Sequence, residues 1–196
     1  MWAAAWDTAD KTQYYEAVKN LATELDTYTN YRLLPITPEN TLRIFKGRSS
    51  ENLFGVLQDV AFGESFAQPA GYSYFFAHFP YQGVPTKALS FMTYDKSFIV
   101  KMFPAGVPDA RLTNWFENYD SGTGTFQFKK FANLYTTGSG AALSITSDDS
   151  AIIFRLPDCY VLTAEALAEL GDDSGAKDFA NRVREAAAAP ALTQTG

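Results

Sequence analysis

Six aromatic rings and the chain's single histidine crowd into the stretch Gly71-Tyr72-Ser73-Tyr74-Phe75-Phe76-Ala77-His78-Phe79-Pro80-Tyr81-Gln82-Gly83. Its spacing is neither helical nor cleanly alternating, and Gly and Pro bracket it, so it is expected on surface loops. Rings in that setting suit carbohydrate, because the apolar face of a pyranose stacks on a π-face while its hydroxyls pair with amides and charges at the rim. Tyr72, Tyr74 and Tyr81 are the leading candidates for ligand contact. Each combines a flat apolar face with a hydroxyl that tolerates water, whereas Phe75, Phe76 and Phe79 gain more from burial. Trp115 is the fourth candidate, and Gln82, Asp95 and Asn114 supply rim groups. The competing reading of these rings is core filling between a helical layer and an irregular one.

Residues for covalent or hydrolytic chemistry are sparse. A nucleophilic triad needs a base beside Ser or Cys; the base on offer is His78, among aromatics, and Cys159 lies in a predicted helix far along the chain. There is no Gly-x-Ser-x-Gly elbow, phosphate-binding loop or His/Cys metal cluster, and Gly138-Ser139-Gly140 reads as a plain loop. Asp148-Asp149 and Asp172-Asp173 are read as loop solvation and helix capping rather than as the facing acids of a glycosidase. No metal and no cofactor is expected. The single cysteine excludes an intrachain disulfide and reads as a small core residue. A net charge of −6 argues against a nucleic-acid groove, which needs clustered Lys and Arg. No apolar run approaches the ~20 residues of a membrane span, and no basic segment followed by an apolar one opens the chain.

The elements that must carry these residues are clearest at the C-terminal end. Leu156, Cys159 or Tyr160, Thr163, Ala166 or Leu167 and Leu170 recur every three to four residues and share a helix face. Pro157 suits the first turn and Gly171 the left-handed stop. Asp172, Asp173 and Ser174 then cap a second helix whose stripe is Ala176, Phe179, Ala180, Val183 and Ala187, giving an antiparallel hairpin. This hairpin buries Cys159 and Thr163 and leaves Glu169 and Lys177 exposed.

Upstream, residues 14–25 form an amphipathic helix carrying Tyr15, Val18, Leu21 or Ala22 and Leu25, and Met1 to Trp6 look like the middle of a helix. Residues 28–35 leave in extended form, Thr37-Pro38-Glu39 starts a short helix that ends near Gly47, and residues 51–60 are expected as a strand weakened by Gly55. Residues 90–96 and 97–103 are expected as one or two strands ending at Pro104, and 125–131 as a half-buried strand. Residues 136–150, rich in Gly, Ser, Thr and Asp, are expected as a surface loop.

The motif Arg155-Leu156-x-Asp158-x-Tyr160-x-Leu162-x-Ala164-Glu165-Ala166, followed by Asn181, Val183 and Arg184, resembles the SusD/RagB group of surface glycan-binding lipoproteins. Pro157 stands where that pattern has alanine, and alanines replace the usual Ala-Gly step after Arg184. Tyr31-Arg32-Leu33-Leu34-Pro35, Ile44-Phe45, Ser50-Glu51-Asn52-Leu53-Phe54 and Asp109-Ala110-Arg111 are similar to family pieces in the same order. The alternative for the hairpin is a generic tetratricopeptide-type pair.

The resemblance implies a mainly α fold: a tetratricopeptide-like α-α superhelix with an irregular loop and short-strand region. It implies one partial domain over 1–196, with a helical-repeat part at 1–50, strands and ligand-side loops at 51–150 and the hairpin at 151–190. It also implies non-catalytic binding of oligosaccharide or polysaccharide on the extracellular face of the outer membrane, with delivery to a SusC-like TonB-dependent transporter. Family members are longer and tethered through a lipidated cysteine, so this chain reads as an internal or truncated piece whose membrane contact runs only through an anchor it lacks. A helical-repeat module for protein partners is the alternative, and a glycoside hydrolase a more distant one.

Overall fold

The computed structural model describes residues 1–64, 95–117, 127–130 and 133–193. The elements in chain order are α1 (Trp2–Trp6), α2 (Lys11–Leu25), α3 (Pro38–Phe45), β1 (Asn52–Val56), a 3-10 turn (Val60–Phe62), α4 (Lys96–Met102) and α5 (Ala110–Trp115). They continue with β2 (Phe116–Glu117), β3 (Gln127–Phe128), β4 (Leu134–Thr137), a second 3-10 turn (Gly140–Ala142), β5 (Ser144–Ser147), β6 (Ala151–Arg155), α6 (Leu156–Glu169) and α7 (Asp173–Ala186). The architecture is mainly helical. The strands among the described residues pair in twos, all antiparallel: β1 with β6, β2 with β3, and β4 with β5.

Short polar side chains set most helix starts. The Thr37 hydroxyl accepts the Asn40 N–H at 3.1 Å with Pro38 beginning α3, and Asp172 Oδ1 accepts the Gly175 N–H at 2.9 Å at the head of α7. At α6, Asp158 Oδ2 accepts the Arg155 N–H at 2.8 Å, and Pro157 costs nothing because its N–H would have had no partner. Gly171 takes a φ of 80°, the left-handed turn expected after α6.

The hairpin α6–α7 forms as expected, α2 packs on α6, and α1 packs on α2. Leu156, Tyr160, Thr163, Ala166 and Leu167 are buried along α6. Ala4, Tyr15 and Ala166 make one apolar cluster, with Met1, Tyr14, Val18 and Leu170 against it; Leu34, Ile44 and Phe45 make another, closed by Ile152. Along α7 Ala176, Phe179, Ala180 and Val183 are only half-buried while Ala187, just past its end, is buried; Cys159 and Lys177 are half-buried rather than enclosed and exposed respectively. Glu169 is exposed, as expected, and pairs with Lys11 at 2.5 Å.

Several expectations are corrected. The strand expected over 97–103 is the helix α4. Ile99 and Phe103, both buried, are four apart and share a face in a helix as in a strand, so pattern alone does not decide. The cap does: Asp95 Oδ1 accepts the Ser97 N–H at 2.8 Å. Residues 90–94 lie outside the described residues. The loop expected over 136–150 contains most of the β4–β5 hairpin, registered from Leu134 opposite Ser147 to Thr137 opposite Ser144. Gly138 and Ser139, which suggested irregularity, form its turn. The strand expected over 51–60 is confined to Asn52–Val56, where Gly55 permits close approach: a Cβ there would meet Ala151 O at 2.8 Å. Of the strand expected over 125–131, Gln127–Phe128 is paired, and residues 125, 126 and 131 lie outside the described residues.

Asp148 and Asp149 are not solvated loop acids. Asp148 pairs with Lys46 and accepts the Val60 N–H at 3.0 Å, and Asp149 is 1% exposed. Asp149 Oδ1 accepts from Asn133 Nδ2 at 2.7 Å, and the same amide donates to Leu42 O at 2.8 Å. This turn therefore fastens the β4–β5 hairpin to α3. No helix among the described residues is long and apolar enough to cross a membrane.

Candidate functional site

The ends of α3, α5 and β6 converge on a group of rings and cations. Phe45 closes α3, Trp115 closes α5, Arg155 closes β6, and Lys130 follows β3. Lys130 Nζ stands 5.1 Å from the Phe45 ring centroid and 4.7 Å from that of Trp115, while Arg155 Cζ is 5.5 Å from Phe45. Such stacking is worth more here than in water because the cations are largely removed from solvent. Burial lowers Lys130 to about 8, with Arg155 adding to the effect and Asp158 opposing it.

Glu51 fixes Arg155 from below. Its carboxylate is 1% exposed; Oε1 accepts the Leu34 N–H at 2.7 Å and Oε2 pairs with Arg155 Nη1 at 3.4 Å. Desolvation pushes the carboxyl up, opposed by the Leu34 N–H and by Arg155. The Leu156 N–H donates to Glu51 O at 2.8 Å, which ties this acid to the first residue of α6.

Beside this group lies a cavity of about 170 Å³, whose polar lining is Glu51, Arg111, Trp115, Arg155 and Asp158 and whose walls include Val161 and Val183. Arg111 is held by Asp109, Nη2 to Oδ2 at 2.6 Å and Nε to Oδ1 at 3.0 Å. The Trp115 Nε1–H is buried and has no acceptor among the described residues. A wider groove of about 490 Å³ runs along Tyr31, Arg32, Tyr160 and Arg182. There Arg182 bridges Asp26 and Asp178 at 2.6 and 2.8 Å and lies over the Tyr160 and Phe179 rings at 5.5 and 4.5 Å.

Of the residues singled out from sequence, Trp115 lies on the 170 Å³ cavity with Lys130 over its ring. Tyr72, Tyr74, Tyr81, Gln82 and His78 fall outside the described residues. The rim groups Asn114 and Asp95 have local duties: Asn114 Nδ2 donates to Ala110 O at 2.7 Å, and Asp95 caps α4. Lys130 and the Glu51–Arg155 pair escaped assignment, although Lys130 shares strand parity with Phe126 and Phe128, and a lysine on an apolar face was its signal.

A family model described as the SusD family matches residues 112–196. The whole chain aligns with the crystal structure of a SusD homologue from Bacteroides thetaiotaomicron VPI-5482 at 33% identity and a TM-score of 0.85. The chain belongs to the SusD family. It spans 42% of the length of that homologue. No curated protein matches the sequence. The SusD-family match takes in Trp115, Lys130, Arg155 and the α6–α7 hairpin, the segment in which the sequence motif was strongest.

Proposed function

We propose that this chain binds oligosaccharide or polysaccharide without transforming it, on the extracellular face of the outer membrane, and presents it to a SusC-like TonB-dependent transporter. The observation that carries this reading is the likeness of the whole chain to 42% of a SusD homologue at 33% identity. Trp115 supports it, because an indole grouped with Arg111, Arg155 and Asp158 offers an apolar surface and charged hydrogen-bonding groups to one small ligand. Tyr72, Tyr74 and Tyr81 extend the proposed ligand surface, each as a ring on which a sugar face stacks.

The test compares two classes of substitution by calorimetric titration with soluble oligosaccharides. Replacing Tyr72, Tyr74 or Tyr81 by Ala is expected to weaken binding with little change in melting temperature, and Trp115→Ala to weaken binding together with a loss of stability, because its half-buried indole packs under Lys130. Replacing Phe75, Phe76 or Phe79 by Ala is expected to cost ~3–5 kcal/mol of stability, as large core truncations do. Equal destabilisation by both classes, with no selective loss of affinity, contradicts the platform.

A further inference from the structure

The geometry points to the cavity between α5, α6 and the end of α7 as a subsite that takes a single neutral sugar ring; this rests on the glycan reading above and gives it a place. Size limits the occupant first. At about 170 Å³ the space lies below the roughly 300–1,000 Å³ of pockets for larger ligands, so it admits one ring and not a chain.

Chemistry narrows it further. Residues on its lining keep donors that no acceptor takes among the described residues: Arg155 engages Glu51 through Nη1, and the Trp115 Nε1–H is buried and unpaired there. Arg111 gives Nε and Nη2 to Asp109 and keeps Nη1. A buried donor left unpaired is costly, and an acceptor oxygen on a ligand relieves that cost. The ligand therefore presents oxygens. It is not an anion, because Asp109, Glu51 and Asp158 already balance Arg111, Arg155 and Lys130 and leave the group with no net positive charge to attract one. Hydroxyl and ring oxygens meet the donors without adding charge, and Ile36, Val161 and Val183 offer apolar wall to the C–H face of a ring. Lys130 stands over one face of the indole, so the ligand meets Trp115 elsewhere than on that face.

The experiment follows the indole N–H signals of the chain's three tryptophans by heteronuclear NMR, with Trp115→Phe identifying the relevant one. The probes are D-glucose, D-galactose, D-mannose and D-xylose with their soluble di- and trisaccharides. At least one is expected to move the Trp115 signal saturably. Val161→Phe, at a position 52% exposed and therefore tolerant of the change, is expected to weaken that response about tenfold or more by narrowing the cavity. A sugar that binds the chain by calorimetry yet leaves the Trp115 signal in place overturns the subsite and leaves the glycan reading standing. A shift that Val161→Phe does not weaken also overturns it. If no probe binds by either method, both inferences fail together.

Discussion

Glu51 and Arg155 stand 104 positions apart and meet at 3.4 Å, with the acid also accepting the Leu34 N–H. One buried carboxylate thus holds the 31–36 segment, the β1–β6 ribbon and the first turn of α6 in register. Glu51→Ala leaves the Leu34 donor and the Arg155 guanidinium buried without their partner. Urea unfolding is expected to show a loss of about 3–5 kcal/mol, and Glu51→Gln, which keeps an acceptor for Leu34, a smaller one. A loss below about 1 kcal/mol for Glu51→Ala would place the pair among surface ion pairs.

Asp149 gives a pH signature. Desolvation raises its carboxyl to about 7, opposed by hydrogen bonds from Asn133 and by Lys46, with Asp148 adding to the rise. The native state holds the proton more tightly than the unfolded chain, so the associated stability is full below about pH 3.8 and is lost as pH rises through about 7. Lys46 and Asp148 face the group from the end of α3 and from its own turn, and Asp59 and Arg48 complete the charges around Lys46. Between pH 4 and 7 wild type is expected to lose stability relative to Asp149→Asn with a slope approaching about 1.4 kcal/mol per pH unit. Parallel curves for the two proteins would show that Asp149 does not titrate in that window.

Ala166 is fully buried where α6 meets α1 and α2, packed with Ala4 and Tyr15. Ala166→Phe is expected to lower stability by ~1–3 kcal/mol through overpacking, and Ala168→Phe, on the exposed face, to change it little. Equal melting temperatures for the two variants would contradict the facing of α6.

Helical elements were legible in the sequence because their caps and periodicity agree: Thr37, Asp172, Gly171 and the 156–170 stripe each fix one boundary. The errors occurred where local signals conflict or the deciding partner is remote. Residues 97–103 are rich in β-branched and aromatic side chains, and the single Asp95 cap outweighs them. Asp148 and Asp149 look solvated beside Ser and Gly until Lys46 and Asn133 arrive from other parts of the chain. The same limit applies to the site. Trp115 was recognisable as an aromatic candidate, but the Lys130 that stacks on it and the Arg155 that shares its cavity are long-range neighbours that spacing does not reveal.

Cys159 tests the first turn of α6. Desolvation and the adjacent Asp158 both raise its thiol, and the side chain is half-buried. Because the thiolate is the reactive form, labelling by a disulfide reagent at pH 8 is expected to be slower in the native protein than in denaturant. Equal rates would mean that the first turn of α6 is open in solution.

Affinity electrophoresis through gels containing soluble polysaccharides, paired with a reducing-end assay on the same mixtures, tests the proposed non-catalytic glycan binding most directly. The expected result is retardation by at least one polysaccharide, reduced in Trp115→Ala, with no new reducing ends released. Free migration in every gel, or retardation accompanied by released sugar, would contradict it.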